Sequence, residues 1–177
     1  EYDNPDSDNF VKTLKAHVYS QYSRVDDDSK VNWTSAGHGA PSVYNDVNDY
    51  YLKNSIYGGE ILTSSIVKFN GNEHTFTYGV DYSNTDTSRL RNKTSIKVKS
   101  GVTTTTLSND KDTPNSEIKR TGIYVQDEFS SGNFDFIAGL RYDNYDLDAK
   151  TDSIYTNTAY AADMSESSWS PKLAATY

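Results

Sequence analysis

Histidine and tyrosine are side chains that can ligate haem iron, and the segment SAGHGAPSVY places His38 close to Tyr44, Tyr50 and Tyr51. These four residues are the candidate ligand-binding set, in a stretch where Gly37, Gly39 and Pro41 break any regular period. The competing reading of His38 is an ordinary exposed loop histidine. The other two histidines, His17 and His74, have no second ligand at a suitable spacing and read as structural.

Other chemistry is weaker. Asp26-Asp27-Asp28 and the run Asp143, Asp146, Asp148 and Asp152 have the charge of calcium ligands, but lack the glycine and terminal glutamate of an EF-hand loop. They read as solvated loop carboxylates, so no metal site is assigned. Asn32-Trp33-Thr34 and Asn92-Lys93-Thr94 match the glycosylation sequon, which has no force if the source is bacterial. Serine, histidine and aspartate are all present, but no nucleophile elbow or oxyanion turn supports a triad. Pairs of carboxylates can be picked from the 25 acidic residues without any pattern that singles them out. No catalytic residue is assigned and the protein is not expected to be an enzyme. Cysteine is absent, which removes disulfides, thiolate metal sites and a thiol nucleophile. The net charge of −8, with Lys and Arg read as scattered, argues against a nucleic-acid partner.

The elements that would position these residues are strands. In TGIYVQDEFSSGNFDFIAGLRYDNYDL (Thr121 to Leu147), Phe134, Phe136, Ala138, Leu140 and Tyr142 share one face. Asp135, Gly139, Arg141 and Asp143 share the other, with Ile137 the one apolar exception. That is the period of a strand with one oily and one wet face. Ser130-Ser131-Gly132-Asn133 supplies a tight turn, and Ile123, Val125 and Phe129 continue the apolar face before it. Earlier strands are expected over Val11 to Arg24, Ser55 to Phe69 and Glu73 to Ser83, the last two joined at Asn70-Gly71. A last strand carries Trp169, Leu173, Ala175 and Tyr177. The polar stretches Asp26 to Tyr50, Asn84 to Lys119 and Asp148 to Ser167 read as long loops, the second with a small hairpin around Ser100-Gly101.

Only 34% of residues are hydrophobic, many of them among the 15 Tyr and 6 Phe, so a large core is not expected. No apolar run reaches the length of a membrane-spanning helix. A transmembrane barrel leaves only short alternating segments, and strictly alternating short turns and long loops are its signature. Aromatic residues near both ends of the apolar faces fit the two interfaces of a bilayer. The expected fold is all-β: an antiparallel meander of about six long strands, part of a large transmembrane β-barrel, with short turns at one end and long loops at the other. The alternatives are a soluble extracellular β-sandwich binding module or adhesin, whose apolar faces would pack on each other, and an eight-stranded outer-membrane enzyme, which too few strands disfavour.

The pieces YVQDEF (Tyr124 to Phe129), GLRYD (Gly139 to Asp143) and SPKLAATY (Ser170 to Tyr177) follow one another in the order seen on neighbouring strands of TonB-dependent outer-membrane receptors, which the chain resembles. TYGVDYS (Thr77 to Ser83) and KDTPNSEIKRTG point toward the haem and haemoglobin receptor branch. The resemblance covers most of Ser55 to Tyr177. It implies a barrel of about 22 strands with a plugged lumen, located in the bacterial outer membrane and in contact with its lipid. It also implies energy from the periplasmic partner TonB, and haem, a haem protein or a siderophore as cargo. Haem would then be a transported ligand and not a covalently bound cofactor. Residues 1–177 would be a partial barrel domain without the plug and the remaining strands. His38, in an outer loop, would be placed where such a receptor first meets its cargo.

Overall fold

A computed structural model describes residues 2–3, 11–36, 39–156 and 161–177. His38 lies outside them. The described residues form one antiparallel sheet. Its strands are β1 (Tyr2–Asp3), β2 (Thr13–Ser35), β3 (Ser42–Phe69), β4 (Asn72–Lys99), β5 (Val102–Asp110), β6 (Asn115–Ser131), β7 (Phe134–Lys150) and β8 (Met164–Thr176). They lie in the order β1-β2-β3-β4-β6-β7-β8. β4 pairs with β3 along one edge and serves two neighbours on the other: its first part pairs with β6 through Thr87↔Ser116, and its last part pairs with β5 from Arg91↔Asp110 to Lys99↔Val102.

The turns follow from their residues. Asn70-Gly71 and Ser100-Gly101 have φ of 53° and 86°, and 51° and 78°. Two successive positive values match the right-handed twist of a two-residue hairpin. Gly132, with φ of 64°, takes the first position of the Gly132-Asn133 turn, where a side chain would be strained.

Cross-strand register assigns every side chain to a face. Ala16, Ile61, Val80, Ile123, Tyr142 and Trp169 form one row across six strands. With the residues two positions away on each strand, they make an apolar band. On β7 it runs from Phe134 to Tyr142 and gives way to Asn144 and Asp146. Nine residues rise about 27 Å along the strand, the length a tilted strand needs to cross a bilayer's hydrocarbon. Among the described residues no hydrophobic side chain is buried, whereas Val18, Trp169 and Leu173 are 88, 65 and 85% exposed. A sandwich would cover these residues with a second layer. The described residues contain no such layer, so Phe134, Phe136, Leu140 and Tyr142 face outward.

The strands are longer than the alternation suggests. β2 continues eleven residues beyond Arg24, β3 begins at Ser42, and β4 and β5 carry the chain from Asn72 to Asp110 around one tight turn. Strand therefore occupies much of the stretches expected as loops, with Ser35 ending β2 and Ser42 opening β3, Asp110 ending β5 and Asn115 opening β6, and Lys150 ending β7 and Met164 opening β8. Beyond the apolar band both faces are wet, so the two-residue period fades while the backbone ladder continues. Asp26, Asp27 and Asp28 therefore belong to β2, and Asp143, Asp146 and Asp148 to β7; only Asp152 is in a loop. Strand alternation puts Asp27 on the opposite face from Asp26 and Asp28, and Asp143 on the opposite face from Asp146 and Asp148, and among the described residues no three acidic or histidine side chains converge on a metal.

Candidate functional site

The side of the sheet opposite the apolar band carries the charge. At mid-height, His17 and Glu60 are cross-strand partners with Nδ1 and Oε2 3.6 Å apart. In the same row Asp81, Gly122 and Asp143 sit side by side. Arg141 donates from Nε to Asp143 at 2.8 Å, and its Nη2 reaches over Gly122 to Asp81 at 2.9 Å. A Cβ at residue 122 would collide with the guanidinium and the Asp81 carboxylate, so the glycine makes room for the ion pair. Arg141 also lies over the Tyr124 ring, 5.7 Å from its centroid. Tyr124 in turn covers Gly79, and Tyr19 covers Gly58: a Cβ on either glycine would come within 3 Å of the tyrosine hydroxyl. Small residues thus alternate with bulky polar ones, giving a wall whose charges are paired and half-exposed.

Above the apolar band the same face continues on the extended parts of β2 to β5. Trp33 and Tyr44 are cross-strand partners whose rings stack in parallel, 3.9 Å apart and 1° from coplanar. Lys97 lies over the Tyr44 ring at 5.5 Å. Asp46 is buried and accepts from the Trp33 indole at 3.0 Å and from Ser95 at 2.6 Å, and pairs with Lys93 at 2.9 Å. These contacts, led by the Ser95 hydrogen bond and then Lys93 and Trp33, hold its pKa down to about 2. Arg91 grips Asp110 with two bonds of 2.6 and 2.7 Å, which lowers the Asp110 pKa chiefly through the hydrogen bond.

The candidate ligand set is divided by this geometry. Tyr44 and Tyr50 share the charged face, six residues apart and so separated by about 20 Å along β3. Tyr51 points to the opposite face, where Lys53 and Arg24 lie 4.5 and 5.4 Å from its ring. His17 stands on the charged face. His74 is on the apolar one, hydrogen-bonded through Nδ1 to Asp127 at 2.8 Å and stacked on Phe129 at 4.5 Å.

Lys and Arg are not scattered once the strand is in place. Arg89, Arg91, Lys93, Lys97 and Lys99 alternate along β4 and lie on the charged face, interrupted only by Ser95. The signal in the sequence is the i, i+2 spacing of cations, which is visible only if residues 84–99 are read as strand. On the other face, beyond the apolar band, Asn84 donates to Tyr57 at 2.7 Å and to Glu117 at 3.0 Å. Lys150 holds the second Glu117 oxygen at 2.7 Å.

The family model described as TonB dependent receptor-like, beta-barrel, matches residues 1–177. No curated protein matches the chain.

Proposed function

Because the chain belongs to the TonB-dependent receptor-like β-barrel family, we propose that it forms part of the barrel wall of a receptor for haem or another iron source. The family is one of bacterial outer-membrane transport receptors that work with TonB, and not of enzymes. One observation carries the assignment to the wall: a single sheet whose exposed apolar band is about as tall as a bilayer's hydrocarbon, backed by a face of paired charges. The apolar band meets lipid, and the charged face lines the inside of the barrel. A complete barrel of about 22 strands would enclose a plug against the network of Glu60, Asp81, Tyr124 and Arg141. Energy from TonB would reach the barrel through parts of the receptor outside this sheet.

The cargo reading rests on residue types. Tyr44 and Tyr50 stand on the inward face beyond the lipid, and His38, outside the described residues, lies six positions before Tyr44 in the sequence. The test is growth of iron-starved cells whose own iron receptors are deleted and which express the full-length receptor. Growth on haemin that is lost with TonB is the expected result, and His38→Ala should raise the Kd for haemin. Growth on neither haemin nor a ferric siderophore would refute the cargo reading, and unchanged haemin affinity would remove His38 from it.

A further inference from the structure

The ladder of cations on β4 is the feature that the wall architecture does not require. A barrel wall needs an apolar exterior and a solvated interior, and paired charges satisfy the second condition. Over residues 89–99, however, five of the six inward positions are cationic, in a chain whose net charge is −8. The carboxylates on the same face of the neighbouring strands are Asp27 on β2, Asp46 on β3 and Asp110 on β5. Two of them are already engaged: Asp46 with Lys93 and Asp110 with Arg91, the latter also 3.4 Å from Asp112. Arg89, Lys97 and Lys99 have no carboxylate partner among the described residues. The Arg89 Nε is buried and has no hydrogen-bond acceptor. A guanidinium donor left without an acceptor in such a place is costly unless something else supplies one.

The unpaired cations also have suitable surroundings. Lys97 and Lys99 stand at the far end of the ladder beside the stacked Trp33 and Tyr44, a flat aromatic surface held in place by the indole bond to Asp46. Arg89 is eight residues nearer the apolar band, about 26 Å along the strand. A compact ligand cannot touch both positions at once, so the ladder describes a path inward with a cationic station at each end. Clustered charge of one sign raises the local concentration of the opposite one and speeds encounter.

We infer that the inward face of the β2–β5 extension is a collecting surface for a multiply charged anionic ligand, with Lys97 and Lys99 beside Trp33 and Tyr44 receiving it and Arg89 accepting it further in. The ligand class is a small, flat or chelate-type anion bearing several carboxylate, phenolate or sulfonate oxygens. This rests on the reading that the charged face lines the barrel, and it narrows the cargo to anionic species.

An iron-free probe separates the inference from the iron reading. Pyrenetetrasulfonate, a flat tetra-anion, is titrated against the full-length receptor in lipid vesicles and followed by fluorescence anisotropy. Saturable binding is expected, weakening as salt rises from about 50 to about 300 mM because the screening length shortens. The R89Q/K97Q/K99Q variant should bind about tenfold more weakly, and a trimethylammonium pyrene should not bind the wild type. Assembly of each variant is checked by its heat-dependent gel mobility. If the triple variant does not assemble, K97Q/K99Q is measured in its place and should lose about threefold. Salt-insensitive binding by the wild type, absence of binding, or equal affinity of wild type and variant would overturn the inference. Growth on haemin alongside any of those results would leave the iron reading intact. Anion binding without growth on any iron complex would do the reverse.

Discussion

Replacing Gly79 with alanine tests whether the tyrosine-over-glycine contacts hold the wall together. Gly79 lies on the inward face, cross-strand to Tyr124. A Cβ there would sit 2.6 Å from the Ile61 carbonyl oxygen, 2.9 Å from the Tyr124 hydroxyl and 3.0 Å from its Cε1. Comfortable carbon contacts begin near 3.5 Å, so the ring and the neighbouring backbone must both give way by about half an ångström or more. The ring can swing, but a carbonyl in the middle of a ladder cannot move without disturbing its hydrogen bonds. Overpacking of this kind costs about 1–3 kcal/mol. Gly139 is the internal control: its Cβ would find nothing nearer than 3.5 Å, so Gly139→Ala should cost less than about 0.5 kcal/mol. Tyr124→Ala relieves the ring contact but not the one with the Ile61 carbonyl, so the double variant should recover about 0.5–1.5 kcal/mol and no more. The assay is urea unfolding of the refolded full-length receptor in lipid vesicles, followed by tryptophan fluorescence. Gly79→Ala unfolding at the same urea concentration as Gly139→Ala would refute the packing argument.

Two other perturbations follow from the same geometry. Leu140→Arg places a charge in the middle of the apolar band and should cost about 2–4 kcal/mol, whereas Gln126→Arg on the inward face should cost under about 1 kcal/mol; reversible unfolding in vesicles reads both. Asp46 has a folded-state pKa near 2, below its ordinary value of 3.8, so its contribution to stability is complete above the unfolded value and lost as pH falls through the folded one. Amide protection over residues 31–35, 42–48 and 93–97, taken relative to the intrinsic exchange rate at each pH, should therefore fall between about pH 4 and 2 in the wild type, and Asp46→Asn should already be less protected at pH 6 with little further change.

Where one face is oily and the other wet, the sequence is enough to place the chain. Phe134 to Tyr142 and Asn70-Gly71 identify their strand and turn because burial in lipid imposes a period of two and a tight reversal imposes its residues. The inward position of Ile137 is equally legible as a break in that period. The reading fails where both faces meet water. Asp26 to Asn32 and Ser83 to Lys99 are strand in the structure, held by ladders and by pairs such as Arg91 with Asp110, which lie 19 residues apart and leave no local pattern. For the same reason Tyr44, Tyr50 and Tyr51 form a cluster only if the segment is loop. Strand geometry puts Tyr51 on the opposite face from the other two. Counting Lys and Arg along the chain does not show the cation ladder, because it ignores which face they share.

The orientation of the sheet is the claim on which the wall, the lumen and the anion path all depend, and β7 tests it in one scan. These 177 residues contain no cysteine, so with any cysteine elsewhere in the receptor replaced by serine, single cysteines from Asp135 to Asp146 can each carry a spin label. In the full-length receptor in lipid vesicles, labels at Phe136, Ala138, Leu140 and Tyr142 should collide mainly with oxygen dissolved in the hydrocarbon. Labels at Ile137, Gly139, Arg141 and Asp143 should favour a water-soluble nickel relaxant, and from Asn144 onward the oxygen preference should disappear. Shielding of Phe136 to Tyr142 from both relaxants, or an inverted alternation, would contradict the account.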